Sequence, residues 1–205
     1  MKFGMVMAAA GVFAASLSFA GEAPKADLAK GQQTMQQVCV ACHGADGNSA
    51  APANPSLAGQ QPEYIVKQLT EFKKGVRKNP IMMGMATPLS DADMVNVAAY
   101  LGSQKAKLQE GTKPDLQALG KKIFMAGNPA TGVPACAACH GPKGSGMPAQ
   151  FPRLAGQHAE YIQAQMFAFK KEERANDPNS MMRQIAAKMN EKEIEAVSHY
   201  VVGLR

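Results

Sequence analysis

The stretch VCVACHGADG at residues 38–47 decides the fold of this protein, and the chain contains a second copy of it. That second copy, ACAACHGPKG at residues 135–144, begins 97 residues later. Each copy has two cysteines three positions apart and a histidine directly after the second cysteine. All four cysteines of the chain belong to these two motifs. Whatever chemistry the first motif supports, the second is expected to support as well.

Three kinds of site could use a Cys-x-x-Cys-His motif. A disulfide between the cysteines suits an oxidising compartment but leaves the histidine without a role. A zinc site would need a second pair of ligands in each half, and neither half has one at the usual spacing. Attachment of c-type haem uses all three residues, because the thiols form thioethers with the porphyrin vinyl groups and the imidazole ligates the iron. The motifs therefore predict two covalent haems. Their attachment residues are Cys39, Cys42 and His43 for the first haem and Cys136, Cys139 and His140 for the second.

The repeat extends well beyond the cysteine motifs. PSLAGQ at 55–60 recurs as PRLAGQ at 152–157. EYIVKQLTEFKK at 63–74 recurs as EYIQAQMFAFKK at 160–171, at the same offset of 97. Further along, the offset becomes 100, because the second copy has three more residues.

Two copies, each with a complete set of features, predict a pair of tandem domains rather than a solenoid. The domains are expected at 21–102 and 115–205. The polar stretch between them, 103–114, contains both Gly and Pro and is predicted to be a short linker. The chain has no Trp and few aromatic residues. A haem in each domain would supply the apolar volume that the side chains lack.

Each copy is predicted to be all-α. A helix is expected before each cysteine pair, over 27–37 and over 115–126. In the middle helix of both copies, apolar residues recur at i, i+4 and i+7. The last helix of each copy opens with two residues at the N-cap and N3 spacing of a capping box. These pairs are Ser90 with Asp93 and Asn190 with Glu193.

The first twenty residues have the pattern of an export signal. Lys2 is followed by an apolar stretch over 3–17, and small residues precede a cleavage site after Ala20. We expect cleavage there and a location in the periplasm. The alternative is an uncleaved anchor, for which the apolar run is barely long enough.

The charge of the chain is modest. The formal net charge is +6, or +5 once Lys2 is removed. The basic residues are spread over both halves, whereas nucleic-acid binding requires a concentrated basic stripe. Nucleic acid is therefore not an expected partner, and the charge indicates at most a weak preference for acidic proteins.

The sixth ligand of each iron is predicted from the repeat. The loop before each last helix reads IMMGMATPLS in the first copy and MMRQIAAKMN in the second. Only one aligned column of these loops is methionine in both copies, and it holds Met82 and Met182. Met/His ligation is typical of electron-transfer haems of higher potential. The alternatives are Met83, Met85 and Met181.

Pro55 and Pro152 open the repeated P-x-LAGQ turn after each haem motif. Their carbonyl groups are candidates to accept a hydrogen bond from the second ring nitrogen of the haem-ligating histidine. The alternative is that both are ordinary turn prolines. His158 and His199 have no histidine counterpart in the first copy, so both are interpreted as structural or surface residues.

Together these motifs resemble the dihaem cytochromes of the c4 class. The resemblance is based on the two CxxCH units, the repeated P-x-LAGQ, the Q-x-x-x-F-K-K helices and the methionine loops, and it covers the whole chain after the export signal. It implies two class I cytochrome c folds related by a pseudo-twofold axis, with the haem propionates near the domain interface. The axial pairs that it implies are His43 with Met82 and His140 with Met182, with Pro55 and Pro152 as the acceptors.

The predicted function is a periplasmic electron carrier rather than an enzyme. Members of the c4 class carry electrons toward terminal oxidases and are sometimes associated with the inner membrane. The expected partners are therefore redox proteins, such as a membrane oxidase or reductase complex or other cytochromes, and the chain is expected to be a monomer. One alternative is an electron-transfer subunit of a larger dehydrogenase. The other is a dihaem enzyme with an open iron, against which the shared methionine column argues.

Overall fold

A computed structural model describes Met1 and residues 25–109 and 113–205. The predicted export signal and its cleavage site lie outside the described residues. The described part of the chain is helical, as predicted, and its β pairing is confined to two isolated bridges. None of its helices is both long and apolar enough to cross a membrane.

The described part of the first domain, from residue 25 onward, has five α-helices packed around a small core. They are α1 (Leu28–Thr34), α2 (Val40–His43), α3 (Pro62–Lys73), α4 (Pro80–Ala86) and α5 (Asp91–Ser103). A π-helical turn over Met35–Cys39 joins α1 to α2, so the first cysteine pair lies at the end of one continuous helical segment. Asp27 begins that segment, because its carboxylate accepts hydrogen bonds from the first free backbone N–H groups.

The second domain repeats this order. Its helices are α6 (Pro114–Ala126), α7 (Ala137–His140), α8 (Ala159–Lys170), α9 (Met181–Ala187) and α10 (Glu191–Val202), with a 3₁₀ turn over Pro178–Ser180 before α9. Both predicted capping boxes are present, at the start of α5 and of α10. The buried cores include Met35, Ile65 and Leu101 in the first domain and Phe124 and Ile194 in the second.

The methionine segments differ from the prediction, which treated both as loops. Each forms a two-turn helix, α4 in the first domain and α9 in the second. In α4 the side chain of Asn79 accepts a hydrogen bond from the N–H of Met82 at 2.9 Å, and Pro80 occupies the first helical position. A side-chain cap followed by proline starts a helix. The methionines that follow are themselves good helix formers.

The first and last helices of each domain cross in direct backbone contact. A Cβ atom added at Gly31 of α1 would lie 2.1 Å from the carbonyl oxygen of Asn96 in α5. A Cβ atom added at Gly120 of α6 would lie 2.3 Å from the carbonyl oxygen of Ala196 in α10. Only glycine permits so close an approach, so these two positions set the helix crossing in each domain.

The two domains face each other through residues at equivalent positions of the repeat. The side chain of Gln157 accepts from the N–H of Ser56 and donates to its carbonyl oxygen, both at 2.9 Å. The side chain of Gln60 makes the same pair of bonds with the backbone of Arg153, at 2.8 and 3.0 Å. Reciprocal contacts of this kind are what a twofold relation produces. The predicted pseudo-twofold arrangement is confirmed.

Candidate haem sites and their interface

The two Cys-x-x-Cys-His motifs have the same local structure. In each, the histidine ends a short helix and is followed by a glycine with positive φ, 75° at Gly44 and 77° at Gly141. A Cβ atom at Gly44 would lie 2.4 Å from the carbonyl oxygen of Asn48. Glycine is therefore required for the sharp turn that the chain makes directly after each histidine.

Each motif histidine is held by the proline proposed for it. Nδ1 of His43 lies 2.8 Å from the carbonyl oxygen of Pro55, and Nδ1 of His140 lies 2.9 Å from that of Pro152. A carbonyl group only accepts, so Nδ1 is the donor in both rings and Nε2 keeps its lone pair for a metal. Burial lowers the pKa of both histidines, and the bond to the proline carbonyl offsets part of that effect. Both imidazoles are therefore neutral at neutral pH, as iron ligation requires.

The cysteines fit covalent haem better than the two other kinds of site. All four are free thiols, so neither pair forms a disulfide. Burial raises the pKa of Cys39 and of Cys136 to about 11. Within residues 25–109 and 113–205, no group of three or more His, Cys, Asp or Glu side chains could hold a metal ion. A pair of free thiols beside an imidazole with a free Nε2 is the set of groups that c-type haem attachment uses.

Met82 and Met182 occupy equivalent positions of α4 and α9. Both side chains are half-buried, and Met182 packs against the core of the second domain. Met85, one alternative, is 44% exposed. Beside Met182, the guanidinium of Arg183 is held by the carboxylate of Asp177 at 2.8 Å. Met83 and Met181 are half-buried as well, so burial argues only against Met85, and the ligand roles of Met82 and Met182 stay a prediction.

A polar network joins the two domains between α3 and α8. This arginine cluster consists of three equivalent pairs: Arg77 and Arg174, Tyr64 and Tyr161, Gln68 and Gln165. Nη2 of Arg77 donates to the hydroxyl of Tyr161 at 3.0 Å and to Oε1 of Gln165 at 2.8 Å. Nη2 of Arg174 donates to the hydroxyl of Tyr64 at 2.9 Å. Each arginine thus contacts the other domain. The repeat could have indicated this shared role, because the two arginines are separated by the same 97 residues as the two haem motifs.

His158 is an interface residue. It is buried, and its Nε2 lies 3.0 Å from the carbonyl oxygen of Ser49 in the other domain. Its counterpart Gln61 makes the related contact, donating to the carbonyl oxygen of Ser145 at 3.3 Å. The structural interpretation of His158 therefore holds and the surface one does not, while His199 is buried within the second domain. The repeat did not indicate this contact between the domains, because the two copies have different residues, Gln61 and His158, at the equivalent position.

Comparison with known proteins decides the family. A family model for cytochrome c matches residues 28–105 and 117–205. Cytochrome c4 of Thiocapsa roseopersicina is 48% identical over 180 residues, which are 87% of this chain and 93% of that protein. The chain belongs to the cytochrome c4 family. The structure of reduced recombinant cytochrome c4 from Pseudomonas stutzeri agrees, with a TM-score of 0.84 and 44% identity over 88% of this chain and 100% of that chain.

A second kind of relative bears on the role of this chain. The thiosulfate dehydrogenase electron acceptor of Stutzerimonas stutzeri is 40% identical over 201 residues, which are 95% of this chain and 93% of that protein. Both kinds of relative are electron-transfer proteins rather than catalysts.

Family membership confirms the main predictions from the sequence. The chain has two cytochrome c domains, binds two covalent c-type haems and transfers electrons. A bound haem supplies a one-electron change between ferric and ferrous iron. The motif cysteines would anchor each haem, and the proline carbonyl holds each imidazole so that its Nε2 would be free to bind the iron.

Proposed function

We propose that this protein is exported to the periplasm, is cleaved after Ala20, and carries electrons in a respiratory chain toward a terminal oxidase. Its membership of an electron-transfer family and the pattern of its first twenty residues support this proposal. The single observation that carries the electron-carrier part of the proposal is the duplicated site, in which His43 and His140 are held by equivalent carbonyls at 2.8 and 2.9 Å.

Both axial positions of each iron are filled in this proposal. His43 pairs with Met82 in the first domain, and His140 pairs with Met182 in the second. An iron with two protein ligands has no open position for substrate, and the same ligands serve both oxidation states. Little reorganisation then accompanies electron transfer, which suits a carrier.

The proposed partners are redox proteins, either a membrane oxidase or reductase complex or other cytochromes. The spread of basic residues over both halves provides no stripe for nucleic acid. We propose a monomer that can associate with the membrane surface at its periphery, in keeping with the c4 class.

A second candidate role is that of electron acceptor for a dehydrogenase. The relative from Stutzerimonas stutzeri with that role for thiosulfate dehydrogenase matches almost the whole chain. The haem chemistry would be the same in both roles, and only the electron donor would differ.

The test uses the purified holoprotein, with two haems per chain verified by pyridine haemochrome quantification. The reduced protein is mixed with oxidase-containing membranes of its own host, and its reoxidation is followed at the haem absorption bands. Rapid, oxidase-inhibitor-sensitive reoxidation is expected. Reoxidation no faster than in buffer would refute the oxidase role, and rapid reduction by thiosulfate with thiosulfate dehydrogenase would then support the second. A high-spin component in the oxidised spectrum would contradict both, since it would mean an open iron.

The location is tested separately. Amino-terminal sequencing of the protein from a periplasmic fraction is expected to begin at Gly21. Recovery with Met1 or Lys2 still present in the membrane fraction would show an uncleaved anchor instead.

A further inference from the structure

The segment over residues 74–85 exposes apolar side chains to solvent. Ile81 and Val76 are 67% and 53% exposed, the two highest values for large apolar side chains within residues 25–109 and 113–205. Met85 follows Ile81 by four positions on α4 and is exposed as well. Residues four positions apart lie on the same face of a helix. Helix α4 therefore presents an apolar face to solvent, and Val76 lies on the connection that leads to it.

The same segment is basic. It contains Lys74, Arg77 and Lys78 and no acidic residue. Arg77 is buried in the arginine cluster, whereas both lysines are exposed. Among the residues that the structure describes, none of the salt bridges within 4.0 Å involves either lysine. Their charges are therefore available to a partner. The α4 face is defined by five exposed side chains, Lys74, Val76, Lys78, Ile81 and Met85.

The second domain lacks this combination of apolar and basic side chains. Its equivalent segment, residues 171–185, has three basic and three acidic residues. Glu173 takes the place of Val76. Ile185, the counterpart of Met85, packs against the core of its domain. Because the second domain has the same fold without such a surface, folding alone does not account for the α4 face.

Charge indicates what covers the α4 face. In a contact between two copies of the chain, a twofold axis would place the lysines of one face opposite those of the other. Like charges in such a contact oppose association. Recognition of anionic lipid typically uses clusters of about 4–8 Lys and Arg, whereas this face has only Lys74 and Lys78. A protein surface with carboxylates around an apolar centre complements both the charge and the apolar side chains.

We propose that the α4 face is the docking surface for a redox protein whose own contact surface is apolar and bordered by Asp and Glu carboxylates. The inference rests on the proposed electron-carrier function. Helix α4 bears Met82, the proposed ligand of the first iron, so a partner on this face docks beside the first haem site. When the partner is an acceptor, one electron passes from the ferrous iron, which becomes ferric, to the redox centre of the partner. The first domain therefore exchanges electrons with this partner.

The chain offers a matched control on the second domain. Lys171 is exposed and is the repeat counterpart of Lys74. Helices α3 and α8 run antiparallel across the interface, because residues near the start of each contact an arginine beyond the end of the other. Lys74 and Lys171 directly follow these helices, so they lie at opposite ends of the pair. Lys74→Glu and Lys171→Glu change the net charge equally, and only the place of the charge differs.

The test follows electron transfer from the ferrous holoprotein to the acidic blue-copper protein plastocyanin, which serves as the probe. Stopped-flow absorbance gives the second-order rate constant at an ionic strength of about 0.1 M, where exposed charges more than about 10 Å apart are largely screened. We expect Lys74→Glu to lower this rate constant about tenfold and Ile81→Asn to lower it about fivefold. Lys171→Glu should leave it nearly unchanged. So should Leu28→Asn, which replaces an exposed apolar residue of α1.

Four results would overturn the proposal. Equal slowing in Lys74→Glu and Lys171→Glu would show that net charge alone decides the rate. An effect of Leu28→Asn as large as that of Ile81→Asn would show that the α4 face has no special part. Binding to vesicles of phosphatidylglycerol and phosphatidylcholine that is lost in Ile81→Asn would assign the face to a membrane. A dimer in sedimentation experiments that is lost in the same variant would assign it to a second copy of the chain.

Haem content and spin state are measured on the unmodified protein and on every variant. An unmodified protein with an open, high-spin iron would refute the proposed function, and this inference with it. An unmodified protein with two low-spin haems that reduces the probe leaves the proposed function intact, and the comparison of variants then decides this inference alone.

Discussion

Replacing Gly31 with alanine is expected to destabilise the first domain, because the helix crossing leaves no room for a methyl group. The new Cβ atom would lie 2.1 Å from the carbonyl oxygen of Asn96 and 2.9 Å from the Cβ atom of Tyr100. An unstrained carbon–oxygen contact is about 3.3 Å or longer. Helices α1 and α5 would have to separate by roughly 1 Å along most of their contact.

The magnitude follows from two opposing effects. Alanine is favoured over glycine within a helix by about 1 kcal/mol. Overpacking a well-packed contact costs about 1–3 kcal/mol and occasionally more, and the upper part of that range applies where backbone rather than a side chain must move. We expect a net loss of roughly 2 kcal/mol in the free energy of unfolding of the first domain.

Gly84 is the matched control. It also lies in a helix, α4, but nothing lies within 4 Å of an added Cβ atom there. Gly84→Ala should stabilise the protein by about 0.5–1 kcal/mol, since only the conformational preference remains. Guanidinium chloride unfolding of both variants, followed by haem absorbance and far-ultraviolet circular dichroism, measures the difference. If Gly31→Ala proves as stable as the unmodified protein, the close backbone crossing is wrong.

Three further predictions concern the ligands, the interface and the second domain. Met82→Ala and Met182→Ala should each remove about half of the far-red absorption band that sulfur ligation gives ferric haem. Met85→Ala should leave this band intact. Loss of half of the band in Met85→Ala would show that Met85, and not Met82, is the ligand in the first domain. Gln157→Ala should weaken domain pairing by about 1–3 kcal/mol, because it leaves the N–H and the carbonyl oxygen of Ser56 without partners. In calorimetry, the two domains of the variant should unfold less cooperatively than those of the unmodified protein. The same single cooperative transition in both proteins would contradict this prediction. Burial would raise the pKa of Asp177, but its hydrogen bonds to the neighbouring arginine lower it overall. Its stabilisation should therefore be complete above about pH 4 and fade at lower pH. Urea unfolding between about pH 3 and pH 7 should show a loss of stability on the acid side, and Asp177→Asn should reduce that loss; an equal loss in the variant would contradict the prediction.

Local features of the fold were predictable because their residues are close along the chain. The CxxCH motif places two thiols and an imidazole on adjacent helical turns, whatever the rest of the chain does. The capping boxes at Ser90 and Asn190 join residues three positions apart, and the structure has both. Comparison of the two copies singled out the one column that is methionine in both, Met82 and Met182, and the ligand roles of these residues stay a prediction.

The methionine helices were missed for a physical reason. A two-turn helix such as α4 is too short for hydrophobic periodicity to show. Its stability comes from the Asn79 cap and from packing rather than from propensity alone. The sequence pattern around Met82 therefore predicted a loop where the tertiary structure supports a helix.

The sequence by itself determined the chemistry of each half: it indicated covalent haem, it predicted which thiols and imidazoles bind it, and it showed that the unit occurs twice. Only the tertiary structure decided how the halves meet. Arg77 and Tyr161 lie 84 positions apart, and their hydrogen bond depends on the relative orientation of two folded domains. No spacing along the chain encodes that orientation, because it follows from the summed fit of both surfaces. The meeting of the two buried arginines on a shared acceptor, Gln165, could be seen only there.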